Sequence, residues 1–109
     1  MYILDYIATH HPKAFEATLE KENVGKLFAF GSSLYSNHPN DIDLLIELDE
    51  EDPLKRGESL INLWDYFEAY FDKRVDMLTP NSLKNPTLIE EIEKTKYLIY
   101  AKEKQKVLR

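Results

Sequence analysis

Residues 30–48 read Phe-Gly-Ser-Ser-Leu-Tyr-Ser-Asn-His-Pro-Asn-Asp-Ile-Asp-Leu-Leu-Ile-Glu-Leu. An apolar strand runs into Gly31-Ser32, a polar loop follows, and Asp41 and Asp43 open a second apolar strand. Carboxylates two apart on a strand share a face, about 7 Å from one another along the chain. That spacing lets both hold one hard cation such as Mg²⁺, whose oxygen ligands sit at about 2.1 Å. Gly31 permits close backbone approach to a ligand, and Ser32 and Ser33 supply donors for phosphate oxygens. A divalent-metal site facing a phosphate cradle is the equipment of phosphoryl or nucleotidyl transfer.

Working outward, Leu27-Phe-Ala-Phe30 is a short continuous apolar run and reads as a buried strand. In Asp41–Leu48, Ile42, Leu44, Ile46 and Leu48 form one apolar face. Asp41, Asp43, Leu45 and Glu47 form the other, polar at its start. Arg74-Val-Asp-Met-Leu-Thr79 is a third strand, stopped by Pro80. Asp76 lies in its middle between apolar neighbours, where an unpaired acid is expensive to bury. If this strand lies beside Asp41–Leu48, Asp41, Asp43 and Asp76 converge, and two metal ions become possible.

The remaining segments are helical in pattern. Apolar residues recur at helical spacing in 2–8, and a second helix begins near Pro12, with Thr9 or His11 as its cap. Asp49-Glu-Glu-Asp52 reads as an acidic turn and Pro53 suits a helix entry; Leu60, Leu63, Trp64, Phe67, Tyr70 and Phe71 then fall three and four apart, which predicts helix over 60–71. That stretch carries more aromatic surface than one face buries, so part of it is a candidate contact for a partner or a second copy. Pro86 opens a last helix through Ile89, Ile92 and Glu93. Tyr97–Tyr100 extends that helix or forms a short edge strand, with the strand preferred. Ser33–Asn40 reads as loop. The fold class is α/β (α+β), a small mixed sheet of about three or four strands flanked by helices.

The chain has 109 residues, sized for one domain spanning 1–109. It has no cysteine, which excludes disulfides, thiolate catalysis and cysteine-based zinc sites. No long uncharged apolar run and no signal peptide is visible, so the expectation is a cytoplasmic protein without a membrane span. The net charge of −6 argues against general nucleic-acid binding. The basic stretch Lys102–Arg109 reads as a solvated tail. His10 and His11 are expected at the surface, and His38 lies in the loop between the two motif strands.

Phe30-Gly31-Ser32, Asp41-Ile-Asp43 and Val75-Asp76 together resemble the minimal nucleotidyltransferases (MNT) of the DNA polymerase β-like nucleotidyltransferase superfamily. The resemblance covers roughly residues 12–100. It implies the nucleotidyltransferase fold, Mg²⁺ on Asp41, Asp43 and Asp76, and nucleotide phosphates on Gly31 and Ser32, with Ser33 beside them. It also implies transfer of AMP from ATP, with the acceptor a tyrosine of a helical HEPN toxin for which this chain is the antitoxin. The loop departs from the family pattern: Gly31-Ser-Ser-Leu-Tyr-Ser36 has no arginine and the run to Asp41 is about two residues shorter. Two alternatives stay open: an antitoxin acting by binding alone, and a small-molecule nucleotidyltransferase of the aminoglycoside type, for which a homodimer would build the acceptor cleft.

Overall fold

A computed structural model describes residues 2–35 and 40–102. His38 and most of the basic tail lie outside the described residues. The element order is α1 (Ile3–Thr9), α2 (Pro12–Lys21), β1 (Val24–Phe30), α3 (Ser32–Tyr35), β2 (Asp41–Leu48), α4 (Pro53–Phe71), β3 (Arg74–Leu78), a 3₁₀ turn (Pro80–Ser82), α5 (Pro86–Thr95) and β4 (Tyr97–Ala101). The four strands form one mixed sheet in the order β3-β2-β1-β4. β1 pairs antiparallel with β2 and with β4, whereas β2 and β3 run parallel. The parallel pair follows from α4: a long helix between β2 and β3 carries the chain back to the end where β2 began.

The alternation along β2 distributes its residues between two cores. Ile42, Leu44 and Ile46 face one side, with Leu27, Ala29, Val75 and Tyr100 from the other strands. Ile3, Phe15, Leu19, Leu63, Phe67 and Phe71 of α1, α2 and α4 close over them. On the opposite face Phe28, Phe30 and Leu45 pack with Ile92 of α5, supported by Leu78, Leu83 and Leu98. The polar start of β2, with Asp41 and Asp43, shares that second face.

α4 begins at Pro53, the helix entry read from the sequence, and extends the periodic stretch 60–71 back by seven residues; Asp52 caps it, accepting from the Leu54 N–H at 3.1 Å. The stretch 54–59 has too little apolar periodicity to announce a helix; the cap and Pro at the first position supply the start. Residues 32–35, expected as loop, make one helical turn, seeded by Gly31 at φ 68° and the Leu34 N–H donating to the Gly31 carbonyl at 3.1 Å. Neither Thr9 nor His11 caps α2 with its side chain: His11 takes the N-cap position at φ 54° without a side-chain hydrogen bond. Thr9 instead donates its hydroxyl back to the Asp5 carbonyl.

The aromatic excess on α4 is largely absorbed. Phe15 contacts Tyr66, Phe67, Tyr70 and Phe71 through its ring. Tyr6 donates to the Tyr70 carbonyl, and Tyr70 donates to the His10 carbonyl at 2.6 Å. Trp64 is left out of this cluster, 43% exposed. No described helix is long and apolar enough to cross a membrane.

Candidate active site

β2 and β3 run side by side in the register Asp41↔Arg74, Ile42↔Val75 and Asp43↔Asp76. The strand carrying Asp76 is thus the neighbour of the strand carrying Asp41 and Asp43, as the convergence argument required. Cross-strand partners have backbones about 4.8 Å apart, so Asp43 and Asp76 stand side by side on one face. Asp41 is two residues away on that same face. All three are partly exposed, because α5 covers only the far half of the face.

The electrostatics record this crowding. The Asp43 carboxyl is pushed above the ordinary carboxylate value, first by burial, then by the negative charges of Asp76 and Asp41. Two ionised carboxylates at this separation repel, and a cation between them reverses the sign. Among the described residues the counter-charge is thin. Arg74 Nε lies 3.9 Å from Asp76 Oδ1, and both side chains are well exposed, so solvent screens the pair.

Gly31 closes the other flank of Asp43. A Cβ built at Gly31 would stand 2.7 Å from Asp43 Oδ2. Its φ of 68° is in the region where side chains are strained. Glycine therefore serves two ends here: it turns the chain out of β1 and lets the carboxylate lie against the backbone. Ser32 opens α3 immediately after it. Ser33 points inward: its hydroxyl is fully buried and donates to the Phe30 carbonyl at 2.6 Å, pinning the turn. Any ligand contact from Ser33 would be left to its backbone.

A cavity of about 290 Å³ is lined by Phe30, Asp43, Trp64, Asp76, Met77 and Leu78. Phe30 is the cross-strand partner of Asp43, so it belongs to the same row. Trp64 enters from α4 around the free edge of β3, where its Nε1 donates to the Val75 carbonyl at 2.9 Å. Glu68, one turn on, accepts from the Val75 N–H at 3.1 Å. α4 therefore satisfies both outward backbone groups of an edge residue that would otherwise be unpaired. The sequence pattern placed Trp64 in the helix core. The signal that pointed otherwise was the aromatic excess of the stretch, which marked part of it as a contact surface without saying which ring.

The donor set suits a hard divalent cation: carboxylate oxygens on adjacent backbone positions, with uncompensated charge. As the side chains stand, no three ligating groups are gathered tightly enough to enclose an ion among the described residues. Asp41, Asp43 and Asp76 would hold it by turning toward one another.

Residues 13–105 of the 109 match the family model described as Polymerase beta, Nucleotidyltransferase, and the chain belongs to that family. No curated protein matches it by sequence. Among solved structures it is similar to a chain of a toxin–antitoxin complex with AMP-PNP, at TM-score 0.56 and 19% identity, covering 90% of this chain and 79% of that one. It is similar to a chain of the complex of a tri-AMPylated Shewanella oneidensis HEPN toxin with its MNT antitoxin, at TM-score 0.54 and 17% identity, covering 88% and 74%. A chain of the MntA–HepT toxin–antitoxin complex gives TM-score 0.53 and 15% identity, with the same coverage of 88% and 74%. At these identities the likeness is one of fold.

Proposed function

We propose that this chain is a Mg²⁺-dependent nucleotidyltransferase that moves AMP from ATP onto a hydroxyl, the acceptor being a tyrosine of a HEPN-type toxin that the chain neutralises. The carrying observation is the cross-strand pair Asp43–Asp76, crowded and short of counter-charge, with Gly31 against Asp43 at the open end of the sheet. Membership of the nucleotidyltransferase family supports the reaction class. Structural relatives in complexes with an AMPylated HEPN toxin and with AMP-PNP support the acceptor and the nucleotide.

When bound, Mg²⁺ would neutralise the triphosphate and stabilise the departing pyrophosphate. The chain's own residues do the rest. Gly31 and the start of α3 admit the phosphates close to backbone N–H groups. Asp41 and Asp43 face the nucleotide and hold its cation. Asp76 takes the proton from the attacking hydroxyl, whose oxygen bonds to the α-phosphorus as the bond to pyrophosphate breaks. The complex of an AMPylated HEPN toxin with its MNT antitoxin supports an acceptor presented by a partner protein.

The test is incubation with α-labelled ATP and the protein encoded beside this one. Wild type should label that protein in the presence of Mg²⁺, and label nothing with chelator. One observation favours binding without catalysis: the loop Gly31–Ser36 carries no cation to assist the triphosphate. A wild type that labels nothing but still silences the toxin would establish that reading instead.

A further inference from the structure

Trp64 stands at one end of a row of chemistry-bearing positions. Across the sheet the order is Phe30 on β1, Asp43 on β2 and Asp76 on β3, each the direct neighbour of the next. β3 is the last strand on this side among the described residues, and Trp64 reaches over its edge. Gly31 lies on the other flank of Asp43. The indole is held through its Nε1, yet much of it stays exposed, and it lines the same cavity as the two acids. Packing does not account for this ring: Leu63, Phe67 and Phe71 are the residues by which α4 anchors to the core.

We infer that Trp64 is the stacking wall for the acceptor: the ring of the tyrosine lies against the indole and its hydroxyl meets Asp76. This rests on the nucleotidyl-transfer reading above. In-line displacement brings the hydroxyl in opposite the departing pyrophosphate. With the triphosphate at Gly31, the open approach is the Trp64 side of the acid pair. The acceptor oxygen bonds to the α-phosphorus, the α-phosphorus bond to the pyrophosphate oxygen breaks, and the hydroxyl proton passes to the Asp76 carboxylate. A phenol gains an aromatic contact with the indole that an alkyl hydroxyl cannot make.

The chain has one tryptophan, so its fluorescence reports Trp64 alone. The probes are N-acetyltyrosinamide and N-acetylserinamide, each with Mg²⁺ and AMP-PNP. The tyrosine probe should shield Trp64 from acrylamide quenching, and the serine probe should not. In transfer to a tyrosine-bearing peptide, Trp64→Leu should raise the acceptor KM about three- to tenfold while Mg-ATP affinity holds. Trp64→Phe also loses the bond to Val75 but keeps a ring, and should recover most of that loss. Equal losses in Trp64→Phe and Trp64→Leu would overturn the proposal in favour of a structural role through Val75. Weakened Mg-ATP binding in Trp64→Leu would overturn it by giving the ring to the base. Should wild type transfer AMP to nothing, the transfer reading falls by itself. The quenching comparison then decides the wall alone, and equal response to the two probes overturns it.

Discussion

Asp43 is the residue under most electrostatic pressure in this site. Burial, then the charges of Asp76 and Asp41, make it hold its proton to higher pH than an ordinary aspartate. The sign follows by linkage. The native state holds this proton at pH values where the unfolded chain has lost it, so the ionised group destabilises the native state above that window. Asp43→Asn should therefore raise the melting temperature in chelator at neutral pH and abolish the further rise expected of wild type with Mg-ATP. Thermal melts of both proteins with and without Mg-ATP check this; an equal response of the two to Mg-ATP would mean the nucleotide does not use Asp43. Gly31 makes the complementary case. Gly31→Ala places a methyl against Asp43 Oδ2 on a left-handed backbone, which should cost roughly 1–2 kcal/mol in urea unfolding and displace the carboxylate.

At the scale of elements, α4 does two jobs. From a start set by Asp52, its buried stripe Leu63, Phe67 and Phe71 anchors the sheet, and its outer side covers the β3 edge through Trp64 and Glu68. Phe67→Ala should cost about 3–5 kcal/mol, as for other buried aromatics, read from the shift in urea midpoint. Where α4 meets α1, Tyr70 donates to the His10 carbonyl, and its phenol is pushed up to about 12 by burial, then by Tyr66 and Tyr6. Below the ordinary value of 10.0 this contributes its full stability; the contribution is lost as pH climbs toward about 12, because the unfolded chain ionises first. Tyr70→Phe should flatten the alkaline fall of the melting temperature over that range. At neutral pH it should lose only the hydrogen bond, about 0.5–1.5 kcal/mol.

At the scale of the whole molecule, the described residues leave one end of the sheet partly exposed at Asp41, Asp43 and Asp76, and the proposed chemistry gathers there. Asp76→Asn should reduce AMP transfer by at least about 10²–10⁴-fold while leaving Mg-ATP binding largely intact, because proton removal matters mainly in the transition state. Labelled transfer and nucleotide binding measured in parallel check it; transfer at the wild-type rate would remove Asp76 from the role of base. Local sequence carried much of this architecture. Period-two alternation set β2 and put Asp41 and Asp43 on one face, and helical spacing set most of α4. The acid in mid-strand marked Asp76 as a candidate. These are legible because side-chain direction in a strand or helix depends only on neighbours a few residues away. Other features were not legible from such neighbours. The short α3 depends on Gly31 taking a left-handed turn and on Ser33 bonding to Phe30. Nothing in the helical pattern separated Trp64 from Leu63. One is buried and the other lines the acid-bearing cavity because β3 is an edge strand whose outward backbone groups needed a partner. The sequence alone determined which residues share a face of each element. Only the tertiary structure decided which faces meet, because strand order and edges arise from contacts between segments far apart in the chain.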